Sequence, residues 1–92
     1  MSKVTVRIPT QLRTLTAGQP EIAVEGGTVG EALAAAEAAH PGLAGRLFDE
    51  DGQLRRFVNV FVADEDVRFL DGLETQVEEG QTVSIVPAVA GG

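Results

Sequence analysis

The chain contains 92 residues, of which 43% are apolar and 23% charged, and this composition predicts a single globular domain with one modest core. Its 14 acidic and 7 basic residues give a formal net charge of −7, which disfavours contact with nucleic-acid phosphates and favours a basic surface on a partner protein. The sequence has no cysteine for a disulfide, a thiolate metal site or a sulfur nucleophile, and its one histidine argues against a multi-histidine metal centre.

No apolar run approaches the roughly 18 residues that a membrane-spanning helix requires, and the N-terminal residues lack the apolar centre of a signal peptide. The sequence therefore predicts a soluble, cytoplasmic protein with neither a membrane nor a nucleic acid as partner. No repeat or linker interrupts the interior, so we expect one folded domain over residues 1–87 and a flexible tail over residues 88–92.

The N-terminal part of the chain has the pattern of a β-hairpin. Apolar and polar residues alternate over Lys3–Ile8 and again over Glu21–Glu25, which predicts two half-buried strands. Residues 11–19 between them are expected to form a turn or short loop, and this short connection favours antiparallel pairing.

A helix is predicted immediately after the hairpin. Thr28 and Glu31 match a capping box, in which the Thr28 hydroxyl accepts a hydrogen bond from the amide three residues later and the Glu31 carboxylate reaches back to the Thr28 amide. The alanine-rich stretch 32–39 favours helix, and its apolar stripe contains Val29, Leu33 and Ala36. His40-Pro41-Gly42 should end the helix, because a residue before proline avoids the helical conformation.

The second half of the chain predicts further short elements and two clear strands. They are a helical turn over Leu43–Phe48, a turn over Asp49–Gly52, a long strand over Phe57–Val62, a short partner strand over Val67–Phe69 and a last strand over Thr82–Pro87. This order predicts an α+β roll of the ubiquitin type, the β-grasp fold. Its mixed sheet would have four to five strands, with the first and last strands parallel at the centre and one main helix across one face.

The last five residues are small and apolar and end in two glycines: Ala88, Val89, Ala90, Gly91 and Gly92. Fully extended, they reach roughly 15 Å beyond Pro87. A frayed terminus is the simplest interpretation of such an end, although a frayed end on an acidic protein should be polar. A backbone without Cβ atoms can instead enter a channel too narrow for side chains and present the Gly92 carboxylate at its far end.

The strand alternation also predicts an apolar surface on the face of the sheet away from the helix. If the valines of residues 58–62 face the helix, then Phe57 and Phe61 face the other way, and so does Val86 in the last strand. Since a single helix covers only one face, Phe57, Phe61 and Val86 are expected to form an exposed patch suited to a partner protein. The alternative is that one phenylalanine folds over the edge of the sheet.

The acidic clusters do not predict a metal site. Asp49–Gly52 lacks the later ligands of a calcium-binding loop, and Asp64–Asp66 has the pattern of a solvated hairpin turn. His40 has the position of a helix-end residue without partner ligands. We therefore expect no metal on this chain.

Several stretches together resemble one protein family over nearly the whole chain. They are Val6–Pro9, Leu12-Arg13, Arg56–Val62, Asp64–Phe69 and Pro87–Gly92. They are similar to the ubiquitin-like sulfur carriers, the group that includes the small subunit of molybdopterin synthase and the thiamine-pathway carrier, and most of all to the CysO-like carriers of the cysteine pathway. The terminal glycine pair is common to all such carriers, whereas the internal stretches indicate the CysO-like kind.

The resemblance implies a protein co-substrate rather than an enzyme. An E1-like enzyme would adenylate the Gly92 carboxylate with ATP, and sulfur would then displace AMP to leave a thiocarboxylate, while residues 88–91 enter the active sites of the partners. The sulfur acceptor would be an activated serine on a PLP-dependent cysteine synthase, or another sulfur-incorporating synthase, and a metalloprotease would release the cysteine. ATP, PLP and metal then belong to the partner enzymes, and this chain binds no cofactor.

Two other classes of function fit the same sequence. A ubiquitin-like modifier would use the tail to form isopeptide bonds with target lysines, and a non-covalent regulatory or scaffold domain would not need the tail at all. An enzyme acting alone is disfavoured, since no pair of titratable groups is placed as acid and base at a recognisable site.

Overall fold

Five strands form one mixed sheet in a computed structural model that describes residues 2–55 and 58–87. The strands are β1 (Ser2–Arg7), β2 (Glu21–Gly26), β3 (Val58–Val62), β4 (Glu65–Asp66) and β5 (Thr82–Pro87). Two α-helices, α1 (Val29–Ala39) and α2 (Leu43–Leu47), and three 3₁₀ turns, Thr10–Thr16, Val67–Phe69 and Gly72–Glu74, connect them.

The sheet has the strand order β2-β1-β5-β3-β4, so the last strand lies at its centre. β5 runs parallel to β1, with Val83 opposite Val6, and antiparallel to β3, with Val83 also opposite Val62. The predicted parallel pairing of the first and last strands is therefore confirmed. With α1 packed across one face, this is the β-grasp arrangement that the sequence predicts.

Helix α1 begins with the predicted cap, but one of its two hydrogen bonds has a different partner. The Glu31 amide donates to the Thr28 hydroxyl (3.2 Å), as expected. The Glu31 carboxylate, however, accepts from the amide of Gly27 (2.7 Å) and not from Thr28. Gly26 lies so close to the helix that a Cβ at this position would be 2.8 Å from the Ala32 nitrogen. The Glu31 carboxylate therefore binds the amide one residue before the one that the predicted capping box specifies.

The hydrophobic core lies between α1 and the sheet. The stripe of α1 contains Val29, Ala32, Leu33 and Ala36, all with no exposed surface. Alternate valines and isoleucines of β1, β2, β3 and β5 cover them from the sheet side, because successive side chains of a strand point to opposite faces. The helix ends at Ala39 before His40-Pro41-Gly42, and Leu43 and Leu47 of the predicted helical turn close one end of the core.

The segment between β1 and β2 is more ordered than the predicted loop. Residues Thr10–Thr16 form 3₁₀ turns that bury Leu12 and Thr16. The Thr16 hydroxyl lies 3.2 Å from the Arg13 carbonyl and 2.9 Å from the Gln19 carbonyl, so this buried polar group is fully partnered.

The prediction of a strand over Val67–Phe69 is wrong, and the true partner of β3 lies two residues earlier. Ala63 and Asp64 both have positive φ (52° and 69°), which is the geometry of a two-residue hairpin turn. The chain therefore reverses at once, and Glu65–Asp66 pairs with Val62 and Phe61. Residues 67–69 continue as a 3₁₀ turn that is capped by the Asp66 carboxylate, which accepts from the Arg68 amide (2.8 Å).

Candidate functional site

The predicted functional tail, Ala88 to Gly92, lies outside the described residues, but the structure shows where it begins. Pro87 is the last residue of β5 and stands opposite Val58, and Val86 stands opposite Asn59. β5 lies between β1 and β3, but β1 pairs with it only as far as Ser84, so β3 alone pairs with the residues from which the tail continues.

The face of the sheet away from α1 carries part of the predicted patch. Val83 and Ile85 are buried against the core, while Val86 on the opposite face is 44% exposed and Phe61 is half-buried. Phe57, the third residue predicted for this patch, lies outside the described residues. The predicted register of β3 and β5 is therefore confirmed, and Phe61 and Val86 share one face; their role in partner binding stays a prediction.

Phe61 and Val86 line one side of an open groove of about 480 Å³. The end of β1, the 3₁₀ segment that follows it and Asp64 of the turn after β3 contribute the rest of the lining. Among the described residues, the lining comprises Arg7, Ile8, Pro9, Thr10, Gln11, Arg13, Phe61, Asp64, Ser84, Ile85 and Val86.

Two arginines and one aspartate line this groove, so its charge differs from the strongly acidic balance of the whole molecule. Arg7 forms an exposed ion pair with Glu21, at 3.3 Å, and Arg13 donates from Nε to the Ile8 carbonyl (3.0 Å). An exposed pair of this kind adds little stability, because both charges remain hydrated. The open groove thus combines apolar side chains with polar and charged ones, a mixture that suits a protein surface better than a small molecule.

Sequence reasoning missed two features close to this face. Phe69 is 87% exposed and Leu70 is 41% exposed, although the sequence pattern placed residue 69 in a strand. Arg68, which precedes them, donates to acceptors at and just before the start of β3, among them the Asn59 side-chain oxygen (2.7 Å) and the carbonyls of Arg55 (2.9 Å) and Val58 (2.8 Å). No local sequence signal marks this arginine, because its partners are brought to it by the fold.

The acidic clusters serve as turn-forming groups in the structure. The Asp49 carboxylate accepts from the amides of Asp51 (2.9 Å) and Gln53 (3.1 Å), which is the pattern of an Asx turn. His40 is the C-cap residue of α1, and its amide donates to the Ala36 carbonyl (2.8 Å). Within residues 2–55 and 58–87, no three acidic or histidine side chains come together as ligands for a metal ion.

None of the helices in this part of the chain is long and apolar enough to cross a membrane.

Comparison with known proteins assigns this fold and tail to a family. The model of the ThiS family matches residues 6–92, nearly the whole chain. The chain belongs to the ThiS family.

Several known proteins resemble the chain over most of its length. The sulfur carrier protein CysO of Mycobacterium tuberculosis is 50% identical over 91 residues, which cover 97% of this chain and 98% of that protein. A chain of the Amycolatopsis orientalis BexX/CysO complex superimposes with a TM-score of 0.91 at 52% identity, covering 97% of this chain and 99% of the other. The small archaeal modifier protein 3 of Haloferax volcanii is 48% identical over 65 residues, which cover 71% of this chain and 70% of that protein.

These similarities confirm the ubiquitin-like β-grasp fold and the sulfur-carrier class. The chain is a CysO-like sulfur carrier protein, and the ThiS and CysO proteins are small carriers rather than enzymes. The prediction of a protein that serves other enzymes agrees with this assignment.

Proposed function

We propose that this carrier holds sulfur as a thiocarboxylate on Gly92. The observation that supports it best is the near full-length similarity to CysO, in a match that continues to residue 92. A carboxylate oxygen of Gly92 attacks the α-phosphorus of ATP in an E1-like enzyme, and pyrophosphate leaves. A sulfide donor then attacks the acyl carbon, and AMP leaves with the electrons of the C–O bond, so that a C–S bond replaces it.

The composition of the chain suits this chemistry. The sequence contains no cysteine, so a thiocarboxylate would be the only strongly nucleophilic sulfur on the protein. Glycine at positions 91 and 92 gives the reacting end the smallest cross-section that a peptide can have. β5 pairs with β3 as far as Pro87 and with β1 as far as Ser84, so the proposed tail continues from a strand that is anchored in the middle of the sheet.

We assign the remaining chemistry to partner proteins. The thiocarboxylate would attack an activated serine on a PLP-dependent cysteine synthase, or the acceptor of another sulfur-incorporating synthase, and a metalloprotease would release the product. CysO of A. orientalis occurs in a complex with BexX, which supports a role for this chain as a docking partner too. The groove lined by Phe61 and Val86 is the surface we propose for such docking. The sequence predicts Phe57 for the same face.

The direct test is the intact mass of the protein purified from its native host, before and after treatment with a thiol-alkylating reagent. Alkylation is needed because exchange of one terminal oxygen for sulfur adds nearly the same nominal mass as oxidation of Met1. We expect an alkylated species that maps to Gly92 and that disappears when Gly91 and Gly92 are deleted. A chain that stays unreactive after incubation with ATP, a sulfide source and host extract would contradict the proposal.

A second candidate function is covalent protein modification, which the similarity to the archaeal modifier protein favours. Lys3 is the only lysine and is exposed, so chains built from copies of this protein through lysine linkages would use that residue alone. Immunoblots would then show higher-mass adducts that resist hydroxylamine, whereas a sulfur carrier gives none. If the chain is instead a non-covalent scaffold, its biological effect should be unchanged after deletion of Gly91 and Gly92.

A further inference from the structure

Arg68 ties the short turn after β4 to the first residues of β3. Its guanidinium donates to the side-chain oxygen of Asn59 and to the carbonyls of Arg55 and Val58, at 2.7 to 2.9 Å. The backbone of Arg68 is itself fixed, because its amide donates to the Asp66 carboxylate (2.8 Å). Guanidinium is suited to this task, since its planar fork presents several donors in fixed directions.

These contacts lie at the position where the sheet stops. Val58 stands opposite Pro87 in β5, and Val62 pairs with Glu65 across the tight turn at 63–64. Because the backbone groups of successive residues in a strand point alternately to its two neighbours, the amide and carbonyl of Val58 point, like those of Val62, to the β4 side and away from β5. There the Val58 amide donates to the Arg55 carbonyl (3.0 Å), and the Val58 carbonyl accepts from Arg68, which supplies a donor that the two-residue strand β4 is too short to provide.

The Arg68 side chain also contacts Asn59, which belongs to the next residue pair between β3 and β5. Asn59 stands opposite Val86, and its side-chain oxygen accepts from Nη1 of Arg68. The last two residues of β5 thus lie against a stretch of β3 that Arg68 fixes in place. Any loosening of this stretch would free Val86 and Pro87 and so change where the tail begins.

We propose that Arg68 is a positioning residue for sulfur transfer: it fixes the point at which the tail leaves the sheet, and thereby where Gly92 can reach relative to a partner docked on the domain. This inference rests on the proposed thiocarboxylate function. It depends on the rule that small errors in the placement of a reacting group cost much of the rate. We do not propose that Arg68 contacts the partner protein.

The first test is amide hydrogen exchange followed by NMR on Arg68→Ala, Arg68→Lys and the wild-type chain. In Arg68→Ala we expect exchange of the amides in 58–60 and 84–86 to rise about tenfold, while the amides of β1 and β2 keep their protection. Lysine carries the charge but not the fork, so Arg68→Lys should show a smaller rise at the same amides. Unchanged exchange in 58–60 and 84–86 would overturn the inference.

The second test is the fraction of each variant that can be alkylated at Gly92 after expression in the native host, normalised to folded protein. We expect about a tenfold lower fraction for Arg68→Ala. Val77→Ala is the matched control, because Val77 is a buried core residue (4% exposed) whose truncation lowers global stability without touching the end of β5. The Val77→Ala variant should show no selective increase of amide exchange in 58–60 and 84–86, and it should retain its thiocarboxylate.

The results separate this inference from the proposed function. A wild-type chain without alkylatable sulfur would contradict the thiocarboxylate itself, whatever the exchange data show. A wild-type chain that carries sulfur, together with an Arg68→Ala variant that carries as much, would contradict only the role of Arg68. A loss in Val77→Ala equal to that in Arg68→Ala would also contradict it, because general instability would then explain both.

Discussion

The same substitution, glycine to alanine, should have opposite effects at two positions of this chain. A Cβ on Gly26 would lie 2.8 Å from the Ala32 nitrogen and 3.1 Å from the Glu31 carbonyl carbon, and both of these are backbone atoms that cannot rotate away. At Gly45, within α2, a Cβ meets nothing within 4 Å. Neither glycine has a positive φ, so the backbone conformation alone excludes alanine at neither position.

The expected magnitudes follow from these contacts. Forcing a methyl group into the packed contact at Gly26 costs about 1–3 kcal/mol, as overpacking does elsewhere. Alanine at Gly45 stabilises by about 0.5–1 kcal/mol, because it removes the excess conformational freedom of glycine from a helix. With a urea m-value of about 1 kcal/mol/M for a domain of this size, the unfolding midpoint falls by about 1–3 M for Gly26→Ala.

Equilibrium unfolding in urea, followed by far-UV circular dichroism, measures both shifts. The Gly45→Ala midpoint should rise by about 0.5–1 M with an unchanged m-value. A Gly26→Ala variant as stable as the wild type would refute the close packing of the β2 end against the first turn of α1. If both variants were destabilised by equal amounts, the contacts of the new Cβ would not determine whether alanine raises or lowers the free energy of unfolding.

Three further predictions concern the helix cap, the surface ion pair and the open face. Thr28→Ala should cost about 1 kcal/mol in thermal unfolding, because the Glu31 amide loses its acceptor, and Thr28→Ser should restore most of this. Glu21→Gln should leave the urea midpoint nearly unchanged, since its pair with Arg7 is exposed; a large loss would contradict that view. Phe61→Ser should keep cooperative unfolding yet bind the adenylating enzyme more weakly in calorimetry, and loss of cooperativity would instead make Phe61 a core residue.

Periodicity in the sequence was sufficient to predict the main strands, α1 and the two faces of the sheet. The burial of Val58, Val60 and Val62 follows directly from alternation, and the helix limits follow from the cap at Thr28 and the proline at 41. The central parallel pairing of β1 and β5 followed from the order of the elements. These are features that local chemistry specifies.

The remaining features depend on contacts between distant parts of the chain. Ala63 adopts a positive φ that alanine seldom takes, so the sequence predicts a longer hairpin turn that includes Asp64–Asp66, and β4 was therefore placed too late in the chain. The 3₁₀ segment that buries Leu12 has no repeating pattern of apolar residues that would distinguish it from a loop. Arg68 has the sequence pattern of a solvated charge, because the carbonyls it binds belong to residues ten to thirteen positions away.

The central position of β5 has a consequence for the synthesis of this protein. β5 joins the hairpin of β1 and β2 to the hairpin of β3 and β4, and it is synthesised after all four of those strands. Two-stranded hairpins are marginally stable by themselves, so the domain cannot close until translation has passed residue 87. A chain truncated before β5 would lack the strand that joins the two hairpins and should not fold, so the proposed reactive end at Gly92 follows the one strand that completes the sheet.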